Sequence, residues 1–370
     1  MKCKTKLIVP IILAAATFLF TGCDSDEYDN GYDIALLPPS SSEAEAALDS
    51  TFDPRKIKAD RWMCALKDYR KLKYVIMPGS HDSGMAKPNM CTVGASPFAQ
   101  TQSLIIRDQL RDGTRFFDIR IDVKNGKLYT YHMNAKGQGC YGELFEGNGE
   151  TSIMYKVKEF LERNSSEFVI LRFTDFYGTS ARKDQTKRHL YDYFINNWSH
   201  DDIVFKKDVE TNYNLVNNIS VKDVRGKAVC VFANFPNYYY DPSKGVFYLN
   251  NNAYAWACNF SVYNSFGFPE EGTTNYEKMK KTRLGRLERN GGYDKDYIFL
   301  LAWTLTPGIY SVKHYADQIN PRMPRVLLYD IWKKHPHIFP QIVDYDYVSK
   351  SLNQYIIQYN DDVRGYDWDN

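Results

Sequence analysis

Two histidines and one arginine occupy positions in the sequence that suit acid–base chemistry on a phosphodiester. His81 and Arg120 each follow a short apolar run, and His132 ends another. An imidazole, with an ordinary pKa of about 6.5, can take a proton from an attacking hydroxyl or give one to a leaving alkoxide. A guanidinium binds phosphoryl oxygens in a bidentate manner while charge builds on them. These residue types therefore favour phosphodiester cleavage by a pair of histidines.

Carboxylates near these groups are the expected partners of the two imidazoles. A carboxylate fixes the tautomer of a catalytic histidine and stabilises its charged form. Asp82 and Asp330 are the candidates for this role. Asp118 lies two residues before Arg120 and so points to the same face of a strand. Two plainer interpretations stay open: Asp118 and Arg120 form a structural ion pair, and Asp330 caps a helix.

Apolar runs that alternate with amphipathic stretches predict the elements that position these residues. We predict strands over 74–77, 116–121, 128–132, 168–173, 228–232, 254–262, 297–303 and 326–329. We predict helices over 153–163, 184–198, 276–289 and 342–359. About eight strands interleaved with helices favour a single, irregular (β/α)8 barrel of the TIM type. In such barrels the functional residues lie at the C-terminal ends of the strands, where His81, Arg120, His132 and Asp330 stand.

Composition excludes some classes of function. The chain has 370 residues, of which 44% are apolar, and Lys plus Arg number 47 against 45 for Asp plus Glu. A net charge of +2 is too small to indicate binding to a phosphate backbone, so we expect no nucleic-acid partner. We also expect a monomer.

The N-terminus predicts export. Lysines at positions 2, 4 and 6 precede an apolar run from Leu7 to Phe20, and Thr21 and Gly22 lead to Cys23. This order is typical of a secretory signal, and the position of Cys23 resembles the cleavage site of bacterial lipoproteins. We predict a signal peptide over 1–22, a flexible tether over 23–50 that begins at lipidated Cys23, and the barrel over 51–370. The protein would then lie in the bacterial cell envelope; plain secretion is the alternative.

Five cysteines remain beyond the predicted lipidation site. They are Cys64, Cys91, Cys140, Cys230 and Cys258. None lies in a CxxC pair, so a structural zinc site has little support. At most two disulfides can form, and their pairing stays open.

Three segments carry a family resemblance. Residues 76–84, 109–120 and 131–132 resemble the catalytic X-domain of bacterial phosphatidylinositol-specific phospholipase C, and weaker similarity extends over roughly 60–360. The resemblance implies that His81, paired with Asp330, is the general base that deprotonates the inositol 2-hydroxyl. It implies that His132, paired with Asp82, protonates the diacylglycerol oxygen. The products are diacylglycerol and a cyclic inositol phosphate, which a slower second step hydrolyses.

The same resemblance assigns Arg120 to the phosphate and Asp118 to a supporting role. Calcium-dependent eukaryotic relatives gather carboxylates where this chain has Arg120. A guanidinium there repels a divalent cation, so we expect neither a metal nor another cofactor. The expected partner is a phospholipid at a membrane surface.

The resemblance weakens where bacterial relatives bind inositol. Asp175, with Arg172 nearby, stands where they have a lysine, and Asn264 stands where they have an aspartate. We therefore predict Arg172, Asp175 and Asn264 as substrate-binding residues. The head group stays open between phosphatidylinositol, a glycosylated inositol lipid and another hydroxylated group.

Two alternatives to this activity stay open. One is a glycerophosphodiesterase with another head group. The other is a surface lipoprotein that binds lipid or glycan on a degenerate barrel without turnover. Catalysis by two histidines requires that His81 and His132 face one pocket, whereas the binding interpretation does not.

Overall fold

A computed structural model describes residues 52–134, 136–147, 149–210, 213–250, 259–266, 272–306 and 308–368. The predicted signal peptide (1–22), Cys23 and the tether (23–50) lie outside the described residues.

Ten strands within these ranges form one sheet. They are β1 Met77–Ser80, β2 Phe116–Lys124, β3 Lys127–Met133, β4 Gly139–Leu144, β5 Val169–Phe176, β6 Ala228–Ala233, β7 Phe247–Asn250, β8 Phe260–Asn264, β9 Ile298–Trp303 and β10 Ile342–Tyr345. Eight of them run parallel in the order β1-β10-β9-β8-β7-β6-β5-β2, and pairing between β1 and β2 closes the barrel. The other two, β3 and β4, extend β2 as an antiparallel pair outside the barrel. The predicted barrel is confirmed.

Helices follow most of the barrel strands. They are α1 Ser96–Ala99, α2 Ile106–Arg111, α3 Ile153–Arg163, α4 Ser180–Asn197, α5 Leu215–Asn218, α6 Val221–Val224, α7 Tyr276–Asn290, α8 Val312–Ile319, α9 Met323–Arg325, α10 Lys350–Ile357 and α11 Asp361–Arg364. A π-helix, Val326–Trp332, continues α9. Short 3₁₀ helices cover Pro54–Lys56, Ala59–Ala65, Leu72–Tyr74, Asn237–Tyr239, Pro242–Lys244, Asn320–Arg322 and Pro336–Ile338. In the described ranges, none of the helices has the length and apolar character that crossing a bilayer requires.

The interior of the barrel changes from apolar to charged along each strand. Side chains of a strand alternate between its two faces, so residues two apart share the interior. Phe116, Ile170 and Ile342 belong to the apolar core inside the barrel. Two residues later, β2, β5 and β10 place Asp118, Arg172 and Asp344 on the wall of a cavity. The charged layer therefore lies above an apolar floor at the C-terminal end of the barrel. This floor excludes water from below the charged groups.

Two predicted elements are wrong at the end of the chain. Residues 326–329 are helical rather than a strand, because a short, buried apolar run does not distinguish the two by pattern. The predicted helix over 342–359 is a strand, β10, followed by α10. The predicted strand over 128–132 exists as β3, but it runs antiparallel to β2. In the predicted strand over 254–262, only the part from residue 259 onward is described, and it begins β8.

A buried ion pair fastens β2 to the segment that precedes β5. Nη2 of Arg115 lies 2.8 Å from Oε2 of Glu167, and neither side chain is exposed to solvent. The guanidinium also donates hydrogen bonds to four backbone carbonyls, including that of Leu110. Every N–H group of a buried guanidinium needs an acceptor, and these contacts tie the start of β2 to the segments around Ala59 and Glu167.

We predict that Glu167→Ala lowers the free energy of unfolding by about 3–5 kcal/mol, because it leaves the Arg115 charge buried without its partner. Urea denaturation followed by circular dichroism measures the loss. The matched control is Asp317→Ala, which breaks the exposed Lys313–Asp317 pair and should cost no more than about 0.5 kcal/mol. Equal effects of the two substitutions contradict the prediction.

Candidate active site

A cavity of about 430 Å³ opens at the C-terminal end of the barrel. Its lining includes residues from β2, β5, β8, β9 and β10 and from the loops that follow the strands. The lining residues are His81, Thr101, Asp118, Arg120, His132, Arg172, Thr174, Asp175, Asn234, Asn264, Phe266, Ala302, Thr304, Leu305, Thr306, Val312, Asp344 and Asp346. His81 and His132 therefore face the same cavity, as catalysis by two histidines requires.

His81 directly follows β1 and is held through both ring nitrogens. Its Nδ1 lies 2.8 Å from Oδ1 of Asp346, and its Nε2 lies 3.2 Å from Nη2 of Arg120. An N–H of arginine can only donate, so this second contact requires a lone pair on Nε2 and places the proton on Nδ1. In the neutral form of the ring, the proton therefore lies on Nδ1 and the basic nitrogen, Nε2, faces the guanidinium.

Two carboxylates tune the basicity of His81. Burial lowers the pKa of the imidazole, but Asp82 and Asp346 outweigh that effect and hold the pKa above its ordinary value of 6.5. Arg120 acts in the opposite direction, because its positive charge disfavours the imidazolium. His81 is consequently a stronger base than an isolated imidazole.

Asp82 is a buried carboxylate between the two histidines. Its Oδ2 lies 3.8 Å from Nε2 of His81 and 3.6 Å from Nδ1 of His132, and its Oδ1 lies 2.5 Å from Nε of Arg120. The residue has a positive φ of 44°, which aspartate tolerates better than most residues. Hydrogen bonds from Thr101 Oγ1 to the Asp82 carbonyl and from the Ser83 amide to the Asp118 carbonyl hold this turn, with lengths of 2.9 Å each. The turn aims one carboxylate at all three basic groups.

His132 comes from β3 rather than from a barrel strand. Its Nδ1 lies 3.3 Å from the carbonyl oxygen of Ala99, the last residue of α1 in the connection between β1 and β2. A carbonyl only accepts, so Nδ1 carries the proton. Burial lowers the pKa of His132 below 6.5, while Asp82 acts in the opposite direction.

Arg120 and Asp118 form the charged wall of the site with Arg172. The carboxylate of Asp118 accepts hydrogen bonds from Thr174 Oγ1 at 2.8 Å and from Arg172 Nη1 at 3.2 Å. Burial raises the pKa of Asp118, but the two arginines outweigh it and hold the pKa below its ordinary value. Although burial lowers the pKa of Arg120, Asp82 and Asp118 hold it above its ordinary value. Both groups are therefore charged.

Asp330 does not lie in this site, so its predicted pairing with His81 is wrong. It sits on the π-helix, where its carboxylate pairs with Lys280 at 2.8 Å and with Lys334 at 3.3 Å. The partner of His81 is Asp346, which follows β10. The prediction of a strand over 326–329 places the wrong aspartate at the end of the barrel, because this segment is helical. The short apolar run around Ile342–Tyr345 followed by Asp346 resembles the ends of the other barrel strands. This pattern could have identified Asp346 as a residue at the end of the last strand.

The predicted substrate-binding residues lie on the cavity wall at different depths. Arg172 is buried against Asp118, whereas Asp175 is exposed and has a positive φ of 48°. Asn264 ends β8, and its Oδ1 accepts a hydrogen bond of 2.9 Å from the Phe266 amide. Sequence reasoning missed Thr174, Thr304 and Asp344, among others, since isolated threonines and aspartates in strands carry no motif.

Three acidic or imidazole groups approach one another closely enough to share a cation. One ligand atom each of His81, Asp82 and Asp118 lies within 4.8 Å of the other two. However, Nε of Arg120 lies 2.5 Å from Asp82 and 3.9 Å from Asp118. A guanidinium thus already lies against the two carboxylates of this group.

A disulfide fastens the loop that orients His132. Cys91 in this loop is bonded to Cys140 on β4, and Cys140 is the cross-strand neighbour of His132. The buried side chains of Ala99 and Cys140 belong to one small apolar cluster. The disulfide therefore ties the backbone that presents the Ala99 carbonyl to the strand pair that carries His132.

We predict that the pKa of His81 lies above that of His132, and that Asp346→Asn lowers the pKa of His81. Removing the negative charge at Oδ1 disfavours the imidazolium, so its titration moves to lower pH. Nuclear magnetic resonance of the imidazole carbons as a function of pH measures both midpoints. Asp330→Asn is the matched control and should leave His81 unchanged. A shift of His81 in the control, or none in Asp346→Asn, contradicts the assignment.

The disulfide gives a second prediction. The variant with both Cys91→Ser and Cys140→Ser should lose about 2–4 kcal/mol of stability, because the denatured chain regains the freedom of the closed loop. Hydrogen exchange of the amides of Asn89 and Thr92, which bond to β4 in the native structure, should accelerate more than exchange in β9. If both regions exchange as in the parent protein, the loop does not depend on the disulfide.

Comparison with known proteins adds relatives of similar length. No protein-family model matches the chain. A 1-phosphatidylinositol phosphodiesterase of Listeria monocytogenes is 23% identical over 278 residues, which cover 74% of this chain and 76% of the relative. The protein of the same name from Staphylococcus aureus strain Newman is 23% identical over 285 residues, covering 72% and 83%.

Solved structures share the fold. Phosphatidylinositol-specific phospholipase C from L. monocytogenes has a TM-score of 0.58 at 20% identity, covering 82% of this chain and 99% of that structure. The S. aureus enzyme has a TM-score of 0.62 at 18% identity, covering 83% and 99%. The named relatives, the closed barrel and the motifs at 76–84, 109–120 and 131–132 agree. The chain is therefore similar in sequence and in fold to bacterial phosphatidylinositol-specific phospholipases C.

Proposed function

We propose that this protein cleaves phosphatidylinositol, or a glycosylated inositol lipid, to diacylglycerol and a cyclic inositol phosphate by acid–base catalysis with two histidines. The observation that carries the proposal is the arrangement around Asp82: His81, Arg120 and His132 meet at one buried carboxylate and line one cavity. The names of the relatives support the phosphodiesterase activity.

His81 is the general base of the proposed reaction. Asp346 holds Nδ1–H, so Nε2 is directed toward Arg120, where the phosphate binds. Nε2 takes the proton of the inositol 2-hydroxyl, whose oxygen forms a bond to phosphorus. Orientation by a hydrogen-bonded carboxylate is the role that the buried aspartate has in serine-protease triads.

Arg120 binds the phosphoryl oxygens. Its charge is maintained by Asp82 and Asp118, and its Nη2 is the group nearest to the basic nitrogen of His81. A guanidinium at this point stabilises the negative charge that builds on the equatorial oxygens. It supplies the positive charge that a divalent cation would otherwise supply. We therefore propose that the reaction needs no metal ion.

His132 is the general acid. With Nδ1–H directed to the Ala99 carbonyl, Nε2 is the atom left to serve the leaving group. Burial lowers the pKa of His132, and a bound anionic phosphate favours its protonated form in the complex. The imidazolium gives its proton to the glycerol oxygen as the bond from that oxygen to phosphorus breaks. Reversal of the two roles, with water as the nucleophile, opens the cyclic product in a second step.

The remaining parts of the proposal concern place and substrate. A signal peptide and a lipidated Cys23 would anchor the enzyme in the cell envelope, where one monomer acts on lipids at a membrane surface. Asn234 and Asn264 place neutral amide groups on the cavity wall, and amides suit uncharged hydroxyl groups. A hydroxylated, uncharged ring fits that wall.

Phosphorus-31 nuclear magnetic resonance tests this function. The purified chain, mixed with phosphatidylinositol micelles and excess chelator, should produce a cyclic phosphodiester signal. His81→Ala and His132→Ala should each reduce the rate by about 10²–10⁴-fold, the usual contribution of a general base or acid. Asp346→Asn should reduce the rate strongly, whereas the matched Asp330→Asn should not.

Each failure has a distinct meaning. No product from the parent chain, with or without added Ca²⁺, refutes the activity on this lipid. Product only with Ca²⁺ refutes metal independence and leaves the reaction class intact. Full activity of His81→Ala refutes the assignment of the base.

A further inference from the structure

Asp344 is a carboxyl group of the cavity that the mechanism above does not use. It lies on β10, two residues before Asp346, and is paired in register with Gly79 of β1. The residue is 2% exposed, yet its side chain lines the cavity. It belongs to the deepest charged layer of the barrel, with Asp118 and Arg172.

Asp344 differs from the other buried carboxylates of the site because its Oδ1 has neither a hydrogen bond nor an ion pair among the described residues. The oxygens of Asp82 also lack a hydrogen bond, but they lie within ion-pairing distance of basic groups. Asp82 is paired with Arg120, Asp118 with Arg172, and Asp346 with His81. A buried polar group without a partner costs free energy, so such a group in a native protein calls for an explanation. A ligand that supplies the missing hydrogen bond is one such explanation.

The backbone beside Asp344 is shaped to make room for this side chain. A Cβ atom on Gly79 would lie 3.1 Å from Oδ1 of Asp344 and 2.9 Å from Cγ2 of Ile342. The second distance is shorter than real Cβ contacts allow, so no larger residue fits at position 79 without displacing its neighbours. Glycine at position 79 thus keeps the carboxyl group free of contact on that side.

The chemistry of the surroundings narrows the ligand. In the proposed function, Arg120 binds the phosphate at the opening of the same cavity. An ammonium group would meet the buried charge of Arg172, which acts on Asp344. Burial raises the pKa of Asp344 to about 8, so at neutral pH the group holds a proton and offers one donor and one acceptor. The hydroxyl group of an alcohol likewise donates one hydrogen bond and accepts others, so it can pair with both groups.

We propose that Asp344 binds a ring hydroxyl of the substrate head group, other than the attacking one, at the bottom of the cavity. This inference rests on the proposed function and adds a residue that determines head-group specificity. The substrate is then a lipid whose head group is a polyol ring that reaches below the phosphate. Lipids with choline or ethanolamine head groups cannot make this contact.

The test compares the full chain with Asp344→Leu and Asp344→Asn on two kinds of lipid. One is phosphatidylinositol, and the other is a panel of analogues that each lack one ring hydroxyl other than the nucleophile. Asp344→Leu should lower kcat/KM for phosphatidylinositol about 10- to 100-fold, because the hydroxyl loses its partner inside the site. Asp344→Asn, which keeps a donor and an acceptor, should restore most of the activity.

The analogues identify the hydroxyl. With the parent chain, kcat/KM for one analogue should fall below that for phosphatidylinositol by a comparable factor. With Asp344→Leu, the same analogue and phosphatidylinositol should differ little, since the two deletions remove the same contact. The other analogues should show equal ratios in parent and variant. Stability supplies an independent readout: replacing an unpartnered buried carboxyl by leucine should leave Tm unchanged or higher, whereas a structural role predicts a lower Tm.

The outcomes separate this inference from the proposed function. If the parent chain cleaves none of these lipids, both are overturned. If it cleaves phosphatidylinositol but the relative rates across the panel are the same in Asp344→Leu, only the role of Asp344 is overturned. Should Asp344→Leu fail to fold, Asp344→Ala takes its place in the same comparison: the inference requires it to alter the relative rate for one analogue alone, and a uniform change across the panel refutes it.

Discussion

The contact between Asp82 and Arg120 is the interaction on which the rest of the site depends. Oδ1 of Asp82 lies 2.5 Å from Nε of Arg120, and the carboxylate is fully buried. The same carboxylate lies between His81 and His132. Without it, a partly buried guanidinium would lie next to two imidazoles, and repulsion would disfavour the protonated form of either. Asp82 is therefore the one carboxylate that lies close to all three basic groups of the cavity.

The barrel makes this concentration of charge possible. Its lower layers are apolar, so the charged residues occupy one level and face one opening. Asp118 and Arg172 neutralise each other there, as do Asp346 and His81 when the histidine is protonated. Each buried charge at this level has an opposite neighbour, which is the condition under which burial of ions is tolerated. Asp344 is buried there with neither a hydrogen bond to its Oδ1 nor an ion pair among the described residues, and a group that is kept at a cost to stability is more often explained by function than by folding.

Much of this arrangement was predictable because it is local in the sequence. His81 with Asp82, and Asp118 with Arg120, are neighbours at strand ends, so identifying the strand also located the side chains. Asp346 was missed for a different reason. Its contact with His81 joins residues 265 positions apart, and only the closure of β10 onto β1 brings them together. Long-range pairing of this kind has no local pattern, and Asp330 matched the expected pattern equally well from a segment that proved helical.

The spacing of the two histidines follows from backbone contacts. Tyr347, directly after Asp346, has a positive φ of 54°, which is strained for a bulky residue. Its amide donates to the Thr101 carbonyl at 2.7 Å, and its hydroxyl donates to the Gln100 carbonyl at 3.0 Å. The carbonyl of Ala99, the residue before Gln100, accepts the hydrogen bond from His132. The strained turn that presents the partner of His81 is thus bonded to the loop that orients His132. Because each of these links ends on a main-chain carbonyl, the fold sets the positions of the two histidines relative to each other.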